Sequence, residues 1–230
     1  LAGNKIGWRG LNHLFEGEEA PAPHLRSLDL SHTAIGGEGV RMLAATEALP
    51  RLESLSLEGL GLSRDAIDVL TSSETLPSLT ALSLARNDLA GRHLEVLAEG
   101  ELFERLRVLS LDENNLGAHG GLRLARRAKI SHLAGLSLVR CNLPSPIIEA
   151  IGRRPRALSC SVLRLSHNPG ISALGALIST DALPSLRILE VDGERVHRED
   201  LLAAASSEKL TSLELLAVSA KAIAEDLSLR

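Results

Sequence analysis

The chain has 230 residues, of which 44% are hydrophobic, and its formal net charge is −4 at pH 7. This hydrophobic content is sufficient for an extended folded core, and no apolar run approaches the roughly 18 residues of a membrane helix. One Trp, two Phe and no Tyr provide few aromatic rings for stacking on bases, which disfavours nucleic acid as a partner.

A segment of the form Leu-x-x-Leu-x-Leu recurs along the chain and predicts its architecture. The first position of this segment recurs in steps of 27 residues, with a single step of 26, at Leu25, Leu52, Leu79, Leu106, Leu133, Cys160, Leu186 and Leu213. Self-similarity at a period of roughly 20 to 50 residues is typical of a solenoid. We therefore expect one domain over 1–230, with a partial repeat over 1–24 and an incomplete last copy.

Each copy predicts a short strand followed by a helix. Alternation of apolar and polar residues at Leu82, Ser83 and Leu84 is typical of a strand with one buried face. In the copy before it, Ala66, Ile67 and Leu70 are spaced three and four apart, which predicts a helix. Ser63 lies at the start of that helix and can cap its first turn.

The copy with Leu79, Leu82, Leu84, Asn87 and Leu89 resembles the leucine-rich repeat pattern L-x-x-L-x-L-x-x-N-x-L. The resemblance covers nearly the whole chain and implies an α/β, right-handed solenoid shaped like a horseshoe. Short parallel strands are then expected on the concave face and helices on the convex face. One strand and one helix in 27 residues resemble the ribonuclease-inhibitor-like subclass.

The resemblance also implies that the Asn of each repeat hydrogen-bonds backbone groups of neighbouring turns and so forms a ladder. This ladder position is occupied by Asn4, Thr33, Leu60, Asn87, Asn114, Cys141, Asn168, Glu194 and Lys221. We expect the ladder to be broken in the second repeat and degraded towards the C-terminal end. One additional residue after the sixth-copy Asn predicts a local kink or bulge.

The concave face of a curved solenoid is an extended surface for partners. The predicted partner-binding residues on this face are His32, Glu58, Arg86, Asp112, Glu113, Arg140, Arg164 and His167. We expect Arg86 and Arg140 to flank the acidic pair between them on strands about 4.8 Å apart. Two interpretations stay open: a row of surface ion pairs worth about 0 to 1 kcal/mol each, or a recognition strip for a protein.

Positive charge is concentrated in the middle of the chain. Residues 101–160 hold 10 Lys or Arg against 5 Asp or Glu, whereas residues 1–100 hold 8 against 14. The repeat spacing predicts one basic patch made of Arg123, Arg126, Arg127, Lys129, Arg153, Arg154 and Arg156. This patch is either a solvated convex rim or a site for an acidic partner.

Candidate catalytic and metal-binding groups do not form a convincing site. Asp29, Ser31 and His32 resemble the members of a triad in type, but they are neighbours on one short strand and lack independent elements to orient a base. The histidines are dispersed, which predicts no metal site. Cys141 and Cys160 occupy repeat positions that face the core, and this favours a reducing, cytoplasmic setting.

These observations favour a protein–protein interaction module in a larger intracellular protein, with a protein partner of unknown identity. We expect no enzyme activity, cofactor, membrane segment or small-molecule substrate. An alternative is a role in trans as a GTPase-activating protein, to which Arg9, Arg64 or Arg86 could contribute. A further alternative is substrate recognition for a ligase or effector.

Overall fold

The structure is a computed structural model that describes residues 1–15, 22–126, 128–153, 158–170, 174–179, 181–192 and 198–218. The side chains of residues 128, 129 and 198 lie outside this description. The chain divides into two compact units, residues 1–111 and residues 112–230. The assignment of 1–230 to one domain stays a prediction.

The first unit alternates strands and helices in chain order. Its elements are α1 (Trp8–Phe15), β1 (Ser27–Asp29), α2 (Gly36–Ala45), β2 (Ser54–Ser56), α3 (Arg64–Thr71), β3 (Ala81–Ser83), α4 (Gly91–Glu99), α5 (Glu101–Arg105) and β4 (Val108–Ser110). The four strands are parallel, and each pairs with the next strand along the chain. Leu28, Leu55, Leu82 and Leu109 are aligned across them, so the 27-residue period is the register of the sheet.

The second unit repeats this plan. Its elements are α6 (Gly117–Arg126), a 3-10 helix (Ala128–His132), β5 (Gly135–Ser137), α7 (Ser145–Gly152), β6 (Val162–Arg164), α8 (Leu174–Ile178), β7 (Ile188–Glu190), α9 (Arg198–Ala205) and β8 (Leu215–Ala217). Leu136, Leu163, Leu189 and Leu216 are aligned across its parallel strands. The pairing of Leu163 with Leu189 absorbs the single 26-residue step.

The repeated leucines form the core between the strands and the helices. In the third repeat Leu79, Leu82 and Leu84 are buried, and the helix that follows adds Leu94 and Leu97 to the same core. A strand whose alternate side chains are apolar can bury one face while its other face stays in contact with solvent. The outward serines of β2, β3 and β4 are accordingly half-buried.

The starts of the helices and their close packing follow from particular residues. The Ser63 side chain accepts a hydrogen bond from the Ala66 N–H at 3.3 Å, so it caps α3 as predicted. A Cβ at Gly121 would lie 2.7 Å from the Ile147 side chain and 2.8 Å from that of Leu143. Glycine in α6 therefore allows the close approach of the next repeat. Helix α5 and the 3-10 helix are additional to the predicted elements.

Buried asparagines connect successive turns in both units. The Asn87 Nδ2 donates to the Leu57 and Ala85 carbonyls, and its Oδ1 accepts from the N–H groups of Leu60 and Leu62. Asn168 makes the equivalent bonds in the second unit, where its Oδ1 accepts from the Cys141 and Leu143 N–H groups.

The ladder column changes where other residue types replace Asn. Thr33 and Cys141 are buried, and each donates to a carbonyl two or three residues earlier in its own turn. Leu60 carries no amide and is only half-buried. The positions at 194 and 221 lie outside the described residues, so degradation of the ladder at that end stays a prediction.

Both cysteines are buried free thiols, at the core positions predicted for them. Burial raises the pKa of the Cys141 thiol to about 12 and that of Cys160 to about 11. After the sixth-copy Asn, the Gly170 N–H donates to the Leu143 carbonyl at 2.8 Å, and a Cβ on Gly170 would collide with the Pro144 backbone. Residues 171–173, where the predicted bulge ends, lie outside the described part.

Candidate protein-binding surface

The predicted partner-binding residues lie along the outward side of the sheet or just beyond the carboxyl ends of its strands. We call this set the polar strip: His32, Glu58 and Arg86 in the first unit, and Asp112, Glu113, Arg140, Arg164 and His167 in the second. Each belongs to a different repeat except for the adjacent acidic pair. The repeat period thus places one or two polar side chains per turn on this side.

In the first unit, Glu58 joins the strip residues of two neighbouring repeats. Its Oε1 lies 3.3 Å from the His32 Nε2 and 3.3 Å from the Arg86 Nη1. Sequence analysis placed Arg86 beside the acidic pair of the next repeat and did not anticipate its contact with Glu58. One carboxylate therefore orients two donors from opposite sides.

Gly59 leaves room for the imidazole of His32. A Cβ at Gly59 would lie 2.4 Å from the His32 Nδ1, far closer than nonbonded atoms approach. Any other residue at this position would therefore displace the ring from Glu58. The glycine was not selected from the sequence, although it lies directly after a predicted strip residue.

In the second unit, the two acidic residues have different roles. The Arg140 Nη1 lies 3.6 Å from the Glu113 Oε1, which confirms the predicted pairing of these neighbouring repeats. The Asp112 carboxylate accepts hydrogen bonds from the Ser137 hydroxyl and from the Val139 N–H at 2.7 to 2.8 Å. Asp112 therefore fixes the end of β5 in addition to contributing charge to the strip.

Two further carboxylates extend the strip beyond the predicted set. The Arg164 Nε lies 2.9 Å from the Glu190 Oε2, and the His167 Nε2 lies 3.7 Å from the Asp192 Oδ2. Position 190 belongs to the outward strand column, and position 192 is the repeat equivalent of Glu58. The repeat register therefore contained the signal for both acids.

In all five ion pairs of the strip, the cationic or imidazole member is the more exposed one. Side-chain exposure is 40–57% for the His and Arg members and 27–37% for the carboxylates. The carboxylates thus lie beneath the donors and hold them in place. The outermost polar groups of the strip are N–H donors of guanidinium and imidazole.

The strip residue that precedes the ladder position has a left-handed backbone in every described repeat from the first to the sixth. The φ angles at this position range from +52° to +69° at His32, Gly59, Arg86, Glu113, Arg140 and His167. A non-glycine residue in this region costs about 1 kcal/mol or more relative to glycine. Five of these six positions nevertheless carry a charged or imidazole side chain, so the fold holds these groups in a strained turn.

The residues that resemble a triad make other contacts. The Ser31 hydroxyl lies 2.8 Å from the Ser56 hydroxyl, and the Ser31 N–H donates to the Asp29 carboxylate at 2.9 Å. Hydrogen bonding from Ser31 lowers the pKa of Asp29, which keeps this carboxylate ionised. His32 contacts Glu58 and not this pair. The arrangement is that of a strand end fixed by polar side chains.

Part of the predicted basic patch is described. Arg123 and Arg126 are exposed on α6, where they line a groove of about 360 Å³ with His119 and Leu122. The Arg153 Nη2 lies 3.3 Å from the Glu149 Oε2. Residues 127, 154 and 156, and the side chain of Lys129, lie outside the described part, so the continuous patch Arg123, Arg126, Arg127, Lys129, Arg153, Arg154 and Arg156 stays a prediction.

The arginines considered for a role in trans are also located. The Arg9 guanidinium lies over the Trp8 ring at 5.2 Å from its centroid, and Arg64 lines an exposed polar groove with Asp65 and Asp68. Arg86 belongs to the polar strip.

Two further searches covered the described residues only. They contain no group of three or more His, Cys, Asp or Glu side chains that could hold a metal ion. Within the same ranges, every helix is too short or too polar to span a bilayer.

Comparison with known proteins supports the fold. A family model described as "Leucine Rich repeat" matches residues 22–44. The leucine-rich repeat-containing protein LegL7 of Legionella pneumophila is 18% identical, with a TM-score of 0.51 over 95% of this chain and 81% of that chain. A comparison with curated protein sequences gave no match.

Two other solved structures show weaker similarity. A TLR13–ssRNA13 complex is 17% identical, with a TM-score of 0.48 over 87% of this chain and 33% of that chain. The tropomodulin C-terminal domain of Caenorhabditis elegans is 15% identical, with a TM-score of 0.42 over 84% of this chain and 96% of that chain. The chain therefore spans about a third of the TLR13 chain.

The family model and the LegL7 fold support a leucine-rich repeat family for this chain. Its fold is an open α/β leucine-rich-repeat solenoid, with parallel strands that alternate with helices. Proteins of this kind are typically binding scaffolds and not enzymes.

Proposed function

We propose that the chain is a protein–protein interaction module that binds its partner through the polar strip on the outward side of the sheet. It belongs, in this proposal, to the ribonuclease-inhibitor-like subclass and to a larger cytoplasmic protein. The 27-residue period and a helix in each described repeat support the subclass. The two buried free thiols are compatible with a reducing compartment.

The observation that carries the proposal is the combination of strain and exposure at the strip. A surface ion pair contributes about 0 to 1 kcal/mol, which does not clearly exceed the cost of a left-handed backbone at Arg86 or Arg140. Glycine at these positions would satisfy the turn at lower cost. Side chains that fold stability does not require are best explained by contacts outside the chain.

The composition of the strip predicts the character of the binding. Trp and Tyr, which contribute most hot-spot energy in many interfaces, are absent from it. Charged groups on a strand surface favour fast and selective association more than they favour high affinity. We therefore expect association that weakens with salt.

A photo-crosslinking experiment tests this function. A photoreactive amino acid replaces Ser83 on the outward side of β3, and the chain captures partners from a cell lysate with and without Arg86→Glu and Arg140→Glu. The matched control is Arg41→Glu on α2, where an equally exposed arginine pairs with Glu38. We expect the double reversal to abolish capture and the control to retain it. Equal capture by all three proteins would refute use of the strip.

A further inference from the structure

The second repeat differs from the others at the ladder position. Thr33, Asn87, Asn114, Cys141 and Asn168 occupy this column elsewhere, and all five are at most 9% exposed. Leu60 occupies it in the second repeat and is only half-buried. Its N–H still donates to the Asn87 Oδ1 at 3.0 Å, so the turn is formed while an apolar side chain is partly exposed to solvent.

The backbone around Leu60 is specialised for this arrangement. Gly59 and Gly61 flank it with φ angles of +69° and +61°, so both neighbours are left-handed. Gly59 also provides the space that the His32 ring occupies. The turn therefore places a partly exposed leucine directly beside the His32–Glu58–Arg86 cluster.

The cluster presents donors to solvent. His32 and Arg86 are each 49% exposed, whereas Glu58, which both of them contact, is 28% exposed. A carboxylate beneath two outer donors orients them towards an incoming acceptor. Arginine and protonated histidine form their strongest hydrogen bonds with carboxylates. An apolar anchor with a polar rim is also the usual arrangement of an interface hot spot.

We infer that Leu60, His32 and Arg86 form an anchor site for an extended peptide segment in which an apolar side chain is flanked by carboxylates. The apolar side chain packs on Leu60, and the carboxylates accept hydrogen bonds from His32 and Arg86. This inference rests on the proposed function, because it names the kind of partner that the first-unit part of the polar strip recognises.

Short capped peptides provide the probes. Each has glycine at both ends of a central triplet, which is Asp-Leu-Asp, Asp-Ala-Asp or Lys-Leu-Lys. Titration to millimolar peptide in about 50 mM salt, where screening is weak, is followed by the amide NMR signals of Gly59 and Gly61. We expect saturable shifts with Asp-Leu-Asp, at an affinity about tenfold or more above that of the other two.

Two variants test the residues involved. Leu60→Asn introduces the residue type found elsewhere in the ladder, so we expect it to fold, and Arg86→Gln removes one donor. Both should weaken binding of Asp-Leu-Asp by about tenfold, whereas Leu202→Asn, which changes an exposed leucine on α9, should not. Equal affinity for the acidic and basic peptides, or unchanged binding by Leu60→Asn, would overturn the inference.

The capture experiment separates this inference from the proposed function. We expect Leu60→Asn to reduce crosslinking of the partner captured at position 83. Capture that requires Arg86 and Arg140 but is unaffected by Leu60→Asn would overturn the anchor site and leave the proposed function intact. Capture that requires none of them would overturn both.

Discussion

Replacement of Asn87 by alanine should destabilise the first unit substantially. The side chain is 1% exposed and makes four hydrogen bonds to the backbone, three of them 3.0 Å or shorter. At about 1 kcal/mol for each of those three, the loss of unfolding free energy is about 3 kcal/mol. Buried N–H and C=O groups without partners make a smaller loss implausible, because their desolvation is no longer compensated.

Urea unfolding followed by far-UV circular dichroism measures this effect. The fluorescence of Trp8, the one tryptophan of the chain, gives a separate signal from the first unit. The control is Asn115→Ala, which removes an exposed side-chain hydrogen bond to Asn142 and should change stability by at most about 0.5 kcal/mol. Asn168→Ala should reproduce the large effect in the second unit. An Asn87→Ala cost no larger than that of the control would refute the role of the ladder.

Three further predictions concern buried groups and close packing. With pKa values of about 12 and 11, Cys141 and Cys160 should resist a thiol reagent at pH 8 until the chain unfolds; rapid labelling of the native protein would contradict this. The His93 Nδ1 accepts the Ala90 N–H at 2.9 Å, and burial, with Arg92 and Arg64 nearby, lowers the pKa of His93. Stability should therefore be complete above pH about 6.5 and fall as the pH drops from there towards the folded-state pKa, a slope that His93→Gln reduces in pH-dependent urea unfolding. Gly121→Ala should cost about 1 to 3 kcal/mol through collision with Ile147, whereas Gly10→Ala on the exposed face of α1 should stabilise by about 0.5 to 1 kcal/mol; equal thermal shifts would contradict the packing argument.

Much of the fold could be predicted because the repeat period and the sheet register are the same quantity. Positions 27 residues apart pair across strands, so the spacing of leucines specified which residues face the core. The ion pair between Glu113 and Arg140 followed from the same register. Helix α5 did not, because five residues are too few to show a helical period.

The geometry of the polar strip was harder to predict. Side chains such as those of His32 and Arg86 disfavour a left-handed backbone, so local preference gives the wrong conformation and the repeat context imposes it. Gly59 in the same column was the available signal. Pairing of Arg86 with Glu58 depends on side-chain rotamers, which a spacing argument does not determine.

The claim that the polar strip exists for recognition is tested most directly by Arg86→Gly combined with Arg140→Gly. Relief of left-handed strain at about 1 kcal/mol per site should offset the loss of ion pairs worth about 0 to 1 kcal/mol each. We predict an unfolding free energy equal to or above that of the wild type, together with loss of partner capture at position 83. Wild-type capture by this variant would contradict the claim.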